Sequence, residues 1–458
     1  MKSSKADVVA RVHKIPDVVF EDGEGQKLTS FGGLVIYQSL FDRLDLKSKL
    51  RRCFAHKKVT PIYGLHRVVL VLMLNAILGY RKLRDTDFYR DDPMVLRVLG
   101  LRHFPDVSTI SRTLAATEAK DVVNVRQMAQ DMVLLRLGQE RLARATLDFH
   151  GSVMTTTKHA EGTAVGFNKK KKGARSYYPL FCTIAQTGQF LDMHHRAGNV
   201  HDSNGALEFA TACIAKARSV LPDAIIEARF DCAFFSEEML GGLADDRVEF
   251  TASVPFERFP ELKKIIEERG RWRSIDDTRS YFEASWKPKS WGRKFRFIVI
   301  RQVVKEQAKG PLQLHLFEPR SYKFDYKAIV TNKKANAKKI LAFHNGRGAQ
   351  EKIFAEAKSH AQLEYVPVRR LYGNQLYCLA AMLAHNLTRE LQMQAGEREF
   401  GTSEKRRSLW TFESLSTIRQ RLVQRAARLI RPQGRLTLVM GANERVREEI
   451  ERHLKKAA

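Results

Sequence analysis

Apolar residues recur at helical spacing through the first third of the chain. The first clear run consists of Leu34, Tyr37, Leu40, Phe41 and Leu44, and the same spacing returns around residues 68–77. The pattern predicts a helical region to about residue 140, after a polar arm (residues 1–30) with one strand-like piece at Val18–Glu21. Later helices of this region are predicted at Pro93–Leu99, Val107–Thr117 and Asp121–Leu137. The helix that begins at Val107 fits a helix-turn-helix reader, a phosphate site at a helix N-terminus or a plain helical bundle.

Short strand-like runs replace this pattern after residue 140. Strands are predicted at Ala145–Phe149, Val153–Thr157, Tyr177–Ala185, Gln189–Arg196 and Ala224–Asp231, with a helix, Asn204–Val220, before the last. Two of these runs carry an acid at or near the end, Asp148 and Asp231. A single aspartate in such a place is most often a cap or turn residue.

Residues 246–325 are again rich in strand-like runs. The predicted strands are Val248–Val254, Tyr281–Trp286, Phe295–Gln302 and Leu312–Phe317, with a short helix at Pro260–Arg269. Three of the four tryptophans lie here, and each fits a sheet core. Trp291, which stands among lysines and arginines, also fits a role in stacking on a base.

A strand-like run at Tyr326–Thr331 is followed by predicted helices from Gly348 to about residue 363 and over residues 376–391. A polar linker then leads to a basic C-terminal region. This region is predicted to contain a basic helix at Leu415–Leu429, a strand at Leu436–Met440 and a charged helix at Glu444–Lys456. Its arginines suit either phosphates or a protein surface.

One predicted helix carries an acid between two cations. At about 100° per residue, Arg347, Glu351 and Lys358 share one helical face, whereas Glu356 points to the opposite side. The face is either a set of ordinary surface ion pairs or a functional site.

The charge balance changes the expected partner. The 458 residues include 79 Lys and Arg against 51 Asp and Glu, a formal net charge of +28, which favours nucleic acid or an anionic membrane. A membrane is disfavoured because the longest apolar run, Val68–Leu78, is too short to cross a bilayer and the first 20 residues lack a signal-peptide core. Five scattered cysteines without CxxC spacing favour free thiols in a cytosolic protein over a zinc site or a disulfide frame.

The spacing Arg347-x3-Glu351-x6-Lys358 resembles the Tyr-x2-Arg-x3-Glu-x6-Lys signature of bacterial insertion-sequence DDE transposases. His344 stands where that family has the tyrosine. The resemblance covers roughly residues 142–391. It implies an α/β fold: an RNase H-like catalytic core with a β-rich insertion and helical N- and C-terminal regions.

The resemblance also implies the catalytic residues. Asp148, Asp231 and Glu351 would be the three acids that hold two Mg²⁺ ions, for which Mn²⁺ can substitute. Arg229, two residues before Asp231, fits the family pattern at the second acid. In this branch a second acid often follows the first at the place that His150 occupies here, so the local geometry at Asp148 is in question.

The same resemblance implies the domain order and the DNA contacts. Residues 1–140 would bind element ends, 141–245 and 326–395 would form the core, 246–325 the insertion and 396–458 a basic C-terminal region. His344, Arg347 and Lys358 would contact the DNA end, and Trp291 would stack on a base. The lysine run, Lys169, Lys170, Lys171 and Lys172, is either a solvated hairpin tip or a phosphate contact.

The resemblance thus implies a transposase that cuts an element free and joins its 3′ ends to target DNA, often in this branch through a hairpin at the element's end. It would act as a synaptic homodimer on double-stranded DNA, in the bacterial cytoplasm and on the nucleoid when bound. A non-catalytic DNA-binding relic or regulator, or a nuclease on the same core, would share the charge. Metal-dependent cleavage and joining of 3′ ends separate these classes.

Overall fold

The computed structural model describes residues 27–58, 62–156, 159–166, 168, 171–200, 204–303 and 324–455. The α-helices in these ranges are α1 (Leu34–Arg43), α2 (Leu46–Cys53), α3 (Leu65–Leu78), α4 (Pro93–Leu99), α5 (Val107–Ala115), α6 (Ala119–Gln139), α7 (Ala206–Val220), α8 (Glu237–Asp245), α9 (Pro260–Glu267), α10 (Ala337–Asn345), α11 (Gly348–His360), α12 (Leu371–Ala395), α13 (Leu415–Ile418) and α14 (Glu444–Lys455). Within the described ranges, no helix is both long enough and apolar enough to cross a bilayer.

The strands are β1 (Leu28–Thr29), β2 (Arg144–Gly151), β3 (Met154–Thr155), β4 (Ala164–Val165), β5 (Arg175–Tyr177), β6 (Leu180–Ile184), β7 (Gln189–His194), β8 (Ile225–Phe230), β9 (Glu249–Val254), β10 (Arg273–Ser274), β11 (Arg279–Trp286), β12 (Phe295–Val303), β13 (Phe324–Thr331), β14 (Ala427–Ile430) and β15 (Thr437–Met440). Two predicted strands, Val18–Glu21 and Leu312–Phe317, lie outside the described residues.

Helices α1 to α6 share one apolar core, as the helical spacing predicts. Helix α3 is buried almost all round because nearly every residue in it is apolar. It ends at Gly79, whose φ of +91° favours glycine. The buried guanidinium of Arg419 donates hydrogen bonds to the carbonyls of Ala76 and Ile77 at this end, at 3.0 and 2.7 Å. A side chain from the far end of the chain therefore satisfies carbonyls that the helix leaves unpaired.

One nine-stranded sheet dominates the molecule, in the order β10-β11-β12-β13-β9-β8-β2-β6-β7. Strands β2, β6 and β7 form an antiparallel meander, and β8 and β9 run parallel to β2 and to each other. Helix α7 connects β7 to β8 and packs on this sheet. The arrangement is that of an RNase H-like α/β core, so the predicted fold class is confirmed.

The β-rich insertion is a continuation of the core sheet. Strand β9 falls within the predicted insertion, but it pairs in parallel with β8 and thus belongs to the core. The strands predicted for the insertion and those predicted for the core thus lie in one sheet. Strand β13 pairs with the free edge of β9, and β12 and then β11 follow it outward, each antiparallel to its neighbour. Aromatic residues of the insertion, such as Phe282 and Phe297, share the apolar core of β2 and β8.

The predicted basic helix at Leu415–Leu429 is wrong beyond its first turns. Helix α13 passes into a π-helical turn at Arg419–Val423, and the chain then becomes strand β14. Strand β14 pairs with β1 on one side and β15 on the other. The pairing strand β1 lies some 400 residues earlier in the chain. Tertiary pairing therefore overrides the local preference of an arginine-rich segment.

Candidate functional site

The neighbouring strands β2 and β8 present one polar face. They run in parallel register with Asp148 opposite Arg229. Side chains alternate along a strand, so Leu147, Phe149 and Phe230 point into the apolar core. The alternate positions form the polar face: Thr146, Asp148, His150, Glu227, Arg229 and Asp231.

Asp148 makes a two-point ion pair with Arg229. The Arg229 Nε donates to Asp148 Oδ1 at 2.5 Å and Nη2 donates to Oδ2 at 2.7 Å. Both residues are buried, with 2% and 0% of their surface exposed. The remaining Nη1 donates to the backbone carbonyls of Phe343 and Lys405, each at 2.9 Å. Both carboxylate oxygens of Asp148 are thus committed to one guanidinium.

A glycine makes room for this guanidinium. Gly346 follows α10, and a Cβ there would lie 2.3 Å from Arg229 Nη1 and 1.9 Å from the Lys405 carbonyl oxygen. Its φ of −57° is ordinary, so the requirement is for space alone. Gly346, which directly precedes Arg347, therefore leaves the space that the Asp148–Arg229 ion pair needs.

Asp231 lies just past the end of β8, and three groups hold its carboxylate. Its Oδ1 accepts from the backbone N–H of Ala233 at 3.0 Å. Its Oδ2 lies 3.3 Å from His150 Nδ1 and 3.0 Å from Arg347 Nη2. Burial raises the pKa of Asp231, but the hydrogen bond with His150 and the charge of Arg347 outweigh burial and hold the pKa below its usual value. The carboxyl group is therefore ionised at neutral pH.

Glu351 reaches the same arginine from the first turn of α11. Its Oε1 lies 3.9 Å from Arg347 Nη1, and 71% of its side chain is exposed. The guanidinium of Arg347, at the N-cap of α11, thus bridges Asp231 and Glu351. The structure brings the second and third predicted acids to one place.

His150 occupies the position on β2 that faces these acids. Strand alternation puts it on the same face as Asp148 but one step nearer the strand end. Its ring packs edge-on against Phe354 of α11, with 4.8 Å between the ring centres. Its Nδ1 lies 3.4 Å from Arg347 Nη2. Asp148, the first predicted acid, therefore lies two residues farther from the strand end than His150, which contacts Asp231.

Other residues of the predicted signature have partners of their own. Lys358 pairs with Glu364 at 2.7 Å. Glu356 points to the opposite side, as the helical spacing predicts, and accepts from Arg389 at 2.5 Å and from the backbone N–H of Leu415 at 2.9 Å. Glu356 therefore connects α11 to α12 and to α13.

His344 is buried, with 2% of its surface exposed. Its Nδ1 lies 3.0 Å from the Thr251 hydroxyl and its Nε2 2.9 Å from the Ser253 hydroxyl, both on β9. Burial, followed by the charges of Lys327 and Arg347, holds the pKa of His344 well below its usual value, so the ring is neutral. The ring is thus enclosed against β9, and its contact with DNA stays a prediction.

Trp291 is half-buried, whereas the described lysines of the lysine run are exposed. Trp291 packs at 4.8 Å between ring centres on Phe235 and edge-on against Phe295, so it is half-buried in the apolar core of the insertion. Lys171 and Lys172 are exposed between β4 and β5. Lys169 and Lys170 lie outside the described residues. Stacking by Trp291 and phosphate binding by the lysines stay predictions.

Lys327, a basic residue of the site, belongs to no motif in the sequence. Lys327 of β13 donates to Asn345 at 3.1 Å. Burial, followed by the nearby charge of Arg347, lowers the pKa of Lys327, and the charge of Glu351 opposes this shift. Lys327 adds positive charge beside Glu351. The alternation of side chains along β13 was the signal for Lys327 in the sequence. It places Lys327 at the site only when the pairing of β13 with β9 is known.

Deeper on the polar face, Glu227 is fully buried among cations. Arg144, Lys333 and Arg406 each lie 2.7 Å from its carboxylate. Burial raises the pKa of Glu227, but the hydrogen bond from Arg406 and the charge of Lys333 dominate and lower it to about 2. Lys405 and Arg406 come from the polar linker after α12, which thus closes over both buried ion pairs.

The family's divalent metal fits this site only in part. Among residues 27–455 as far as they are described, no three His, Cys, Asp or Glu side chains are grouped closely enough to hold a metal ion in this conformation. Arg229 engages both oxygens of Asp148, and Arg347 lies between Asp231 and Glu351. Asp231 and Glu351 offer the hard oxygen donors that Mg²⁺ prefers.

Comparison with known proteins agrees with this architecture. The family described as transposase DDE domain, group 1, matches residues 14–457. No curated protein sequence matches the chain. A solved structure of piggyBac transposase in a synaptic complex with hairpin DNA is 12% identical, with a TM-score of 0.42 over 78% of this chain and 74% of that one, a likeness too low to support residue-level statements. Because the family match spans nearly the whole length, the chain belongs to the DDE transposases of group 1.

Proposed function

We propose that this transposase cleaves DNA at the ends of a bacterial insertion element of the Tyr-Arg-Glu-Lys branch and joins the freed 3′ ends to target DNA. One observation carries the proposal. Asp231, at the end of a central strand, and Glu351, on the signature helix, converge on the guanidinium of Arg347 although 120 residues separate them in sequence. Two carboxylates that meet at the end of a central strand suit metal-dependent phosphoryl transfer.

The proposed catalytic set is Asp148, Asp231 and Glu351, with two Mg²⁺ ions or Mn²⁺ in their place. When bound, the ions activate the attacking oxygen and stabilise the leaving one. The chain's own residues prepare the site. The contacts from His150 and Arg347 keep Asp231 ionised, and the exposed Glu351 faces solvent, from which DNA approaches.

Arg347 and neighbouring cations suit the negative charge of a phosphodiester. Arg347 presents a planar donor set, which binds phosphate oxygens at two points. Lys327 lies beside it, and Lys171 and Lys172 are exposed between β4 and β5. Double-stranded DNA is the proposed partner, held by a homodimer that pairs two element ends. A hairpin at the element's end is the proposed route of excision.

A plasmid with the element and its native ends tests the proposal. Incubation with Mg²⁺ is expected to release the element, EDTA is expected to prevent release, and Asp231→Asn is expected to bind the ends without cutting them. Agarose gels report release, and sequencing of recovered plasmids reports joining to new sites. Release without joining would identify a nuclease on the same core.

One observation favours a second candidate, a DNA-binding protein without catalysis. Asp148 is locked in an ion pair and an imidazole takes the place opposite Asp231. Under this alternative the chain binds element ends tightly and cuts none of them with Mg²⁺ or Mn²⁺. The plasmid assay with both metals separates the two candidates.

Affinity for DNA is expected to fall steeply with salt. A net charge of +28 implies many contacts with phosphates, whose counterions are released on binding. Between about 50 and 200 mM salt the dissociation constant should rise at least about a hundredfold. Fluorescence anisotropy with a labelled element end measures the slope. A slope near zero would show that phosphate contacts do not dominate binding.

A further inference from the structure

We infer that Arg229 is a positioning residue for the cleavage reaction. Its guanidinium fixes where Asp148 on β2 lies relative to the turn from which Arg347 and Glu351 begin. The inference rests on the proposed function, because the reaction that Arg229 serves is the cleavage proposed there. It assigns Arg229 no contact with DNA or with a metal.

The guanidinium of Arg229 joins three segments that are far apart in sequence. Its Nε and Nη2 donate to the two oxygens of Asp148 on β2, at 2.5 and 2.7 Å. Its Nη1 donates to the carbonyl of Phe343, near the end of α10, and to the carbonyl of Lys405 in the polar linker, at 2.9 Å each. A guanidinium is planar and its donors point in fixed directions. One rigid group therefore sets the distances between β2, α10 and the linker.

The Phe343 carbonyl lies at the turn that leads into the signature helix. It is one of the last four carbonyls of α10, which an α-helix leaves without their usual internal partners. It also accepts from the N–H of Gly346 at 3.1 Å. Arg347 comes next as the N-cap of α11, and Glu351 lies in the first turn of that helix. Arg229 therefore holds the turn from which two residues of the site begin.

The ion pair orients Asp148 and does not use up its acceptors. A carboxylate oxygen has two acceptor sites, and Arg229 takes one on each oxygen of Asp148. Carboxylates that bind metals in proteins are commonly held by a hydrogen-bonded partner, which fixes their orientation. Arg229 is fully buried, so water does not compete for its donors. The orientation of Asp148 is therefore set before DNA arrives.

Position and charge are separate requirements at this place. An ion pair in a core needs only opposite charges, whereas the contacts to Phe343 and Lys405 need the planar donor set of arginine. They also need Gly346, where a Cβ would lie 1.9 Å from the Lys405 carbonyl oxygen and 2.3 Å from Arg229 Nη1. A substitution therefore disturbs the position of the guanidinium while both charges stay in place.

Gly346→Ala is the first test. The added methyl group fits only if the turn, the Lys405 carbonyl or the guanidinium moves. Single-turnover cleavage of a labelled element end is expected to slow by at least about a hundredfold, the loss that a misplacement of about 1 Å produces. The dissociation constant for the same DNA, measured by fluorescence anisotropy, should stay within about threefold because binding depends on many phosphate contacts. A residue of the core alone would change stability and leave the rate per folded molecule as it is.

Gly348→Ala is the matched control two residues away. Gly348 begins α11, and a Cβ there would meet no atom within 4 Å. Alanine is also a better helix former than glycine. This variant should therefore fold, bind the element end and cleave it as wild type does.

Arg229→Lys is the second test. Lysine keeps the charge opposite Asp148, but its single ammonium group does not reach all four acceptor atoms that Arg229 holds. The variant is expected to fold, as circular dichroism reports, and to lose cleavage by at least about a hundredfold with end binding retained.

Hydrogen exchange followed by mass spectrometry reads the turn without cleavage. In Gly346→Ala and Arg229→Lys the amides of residues 343–351 should exchange faster than in wild type, whereas those of β2 should keep their protection. Unchanged exchange in both variants would contradict a hold of Arg229 on the turn.

The remaining outcomes also decide the question. A folded Gly346→Ala or Arg229→Lys that cleaves at the wild-type rate would overturn the inference, and so would an equal loss in Gly348→Ala. Failure of both test variants to fold would make Arg229 a residue of the core alone and would overturn it as well. If wild type itself does not cleave, the proposed function fails, and the exchange data still report whether Arg229 holds the turn.

Discussion

Glu351→Gln is expected to lower the rate of element-end cleavage at least about a thousandfold, equivalent to about 4 kcal/mol of activation free energy. The amide keeps the size of the side chain but removes the negative charge that attracts a cation. The side chain is 71% exposed, so folding should not change. Binding of a labelled element end should stay within about threefold, because DNA affinity depends on many phosphate contacts. Single-turnover cleavage of a labelled end measures the rate.

Glu356→Gln is the control on the same helix. Glu356 holds Arg389 and the Leu415 backbone and points away from the site. The substitution should lower the melting temperature because it weakens a mostly buried ion pair. Cleavage per folded molecule should remain near that of wild type. Loss of cleavage in folded Glu356→Gln, with retention in Glu351→Gln, would show that the helix register is misassigned.

Arg229→Met is expected to reduce the free energy of unfolding by about 3–5 kcal/mol. The substitution leaves Asp148 charged and buried, and it removes the donors to two backbone carbonyls. Urea denaturation followed by circular dichroism measures the change. Arg293→Met is the control, because Arg293, between β11 and β12, pairs with Asp245 of α8 at 2.7 Å and both side chains are exposed. Loss of that exposed pair should cost about 1 kcal/mol or less.

The double variant Asp148→Leu/Arg229→Met separates the ion pair from its surroundings. With both charges removed, no charge is left buried alone, and stability should recover part of the loss. If Arg229→Met is no less stable than Arg293→Met, the pair does not support the core.

Local sequence patterns were sufficient to predict the elements whose structure does not depend on one particular distant segment. Helical spacing placed α4 and α11, and alternation placed β8 and β12, because their apolar faces follow directly from residue order. The C-terminal basic helix could not be excluded in this way. Its arginines favour a helix locally, and only β1 provides the edge on which β14 pairs.

In the candidate site, too, the sequence determined some features and the tertiary structure determined others. The sequence by itself determined that Glu351 and Arg347 share a helical face, that an acid follows β8, and that the charge suits DNA. Only the tertiary structure decided which side chain of β2 meets Asp231. That outcome depends on the parallel register of β2 and β8, and on the distant carbonyls of Phe343 and Lys405 that fix Arg229 against Asp148. Contacts between segments far apart in the chain carry no local signal, and they put His150 where sequence reasoning had put an aspartate.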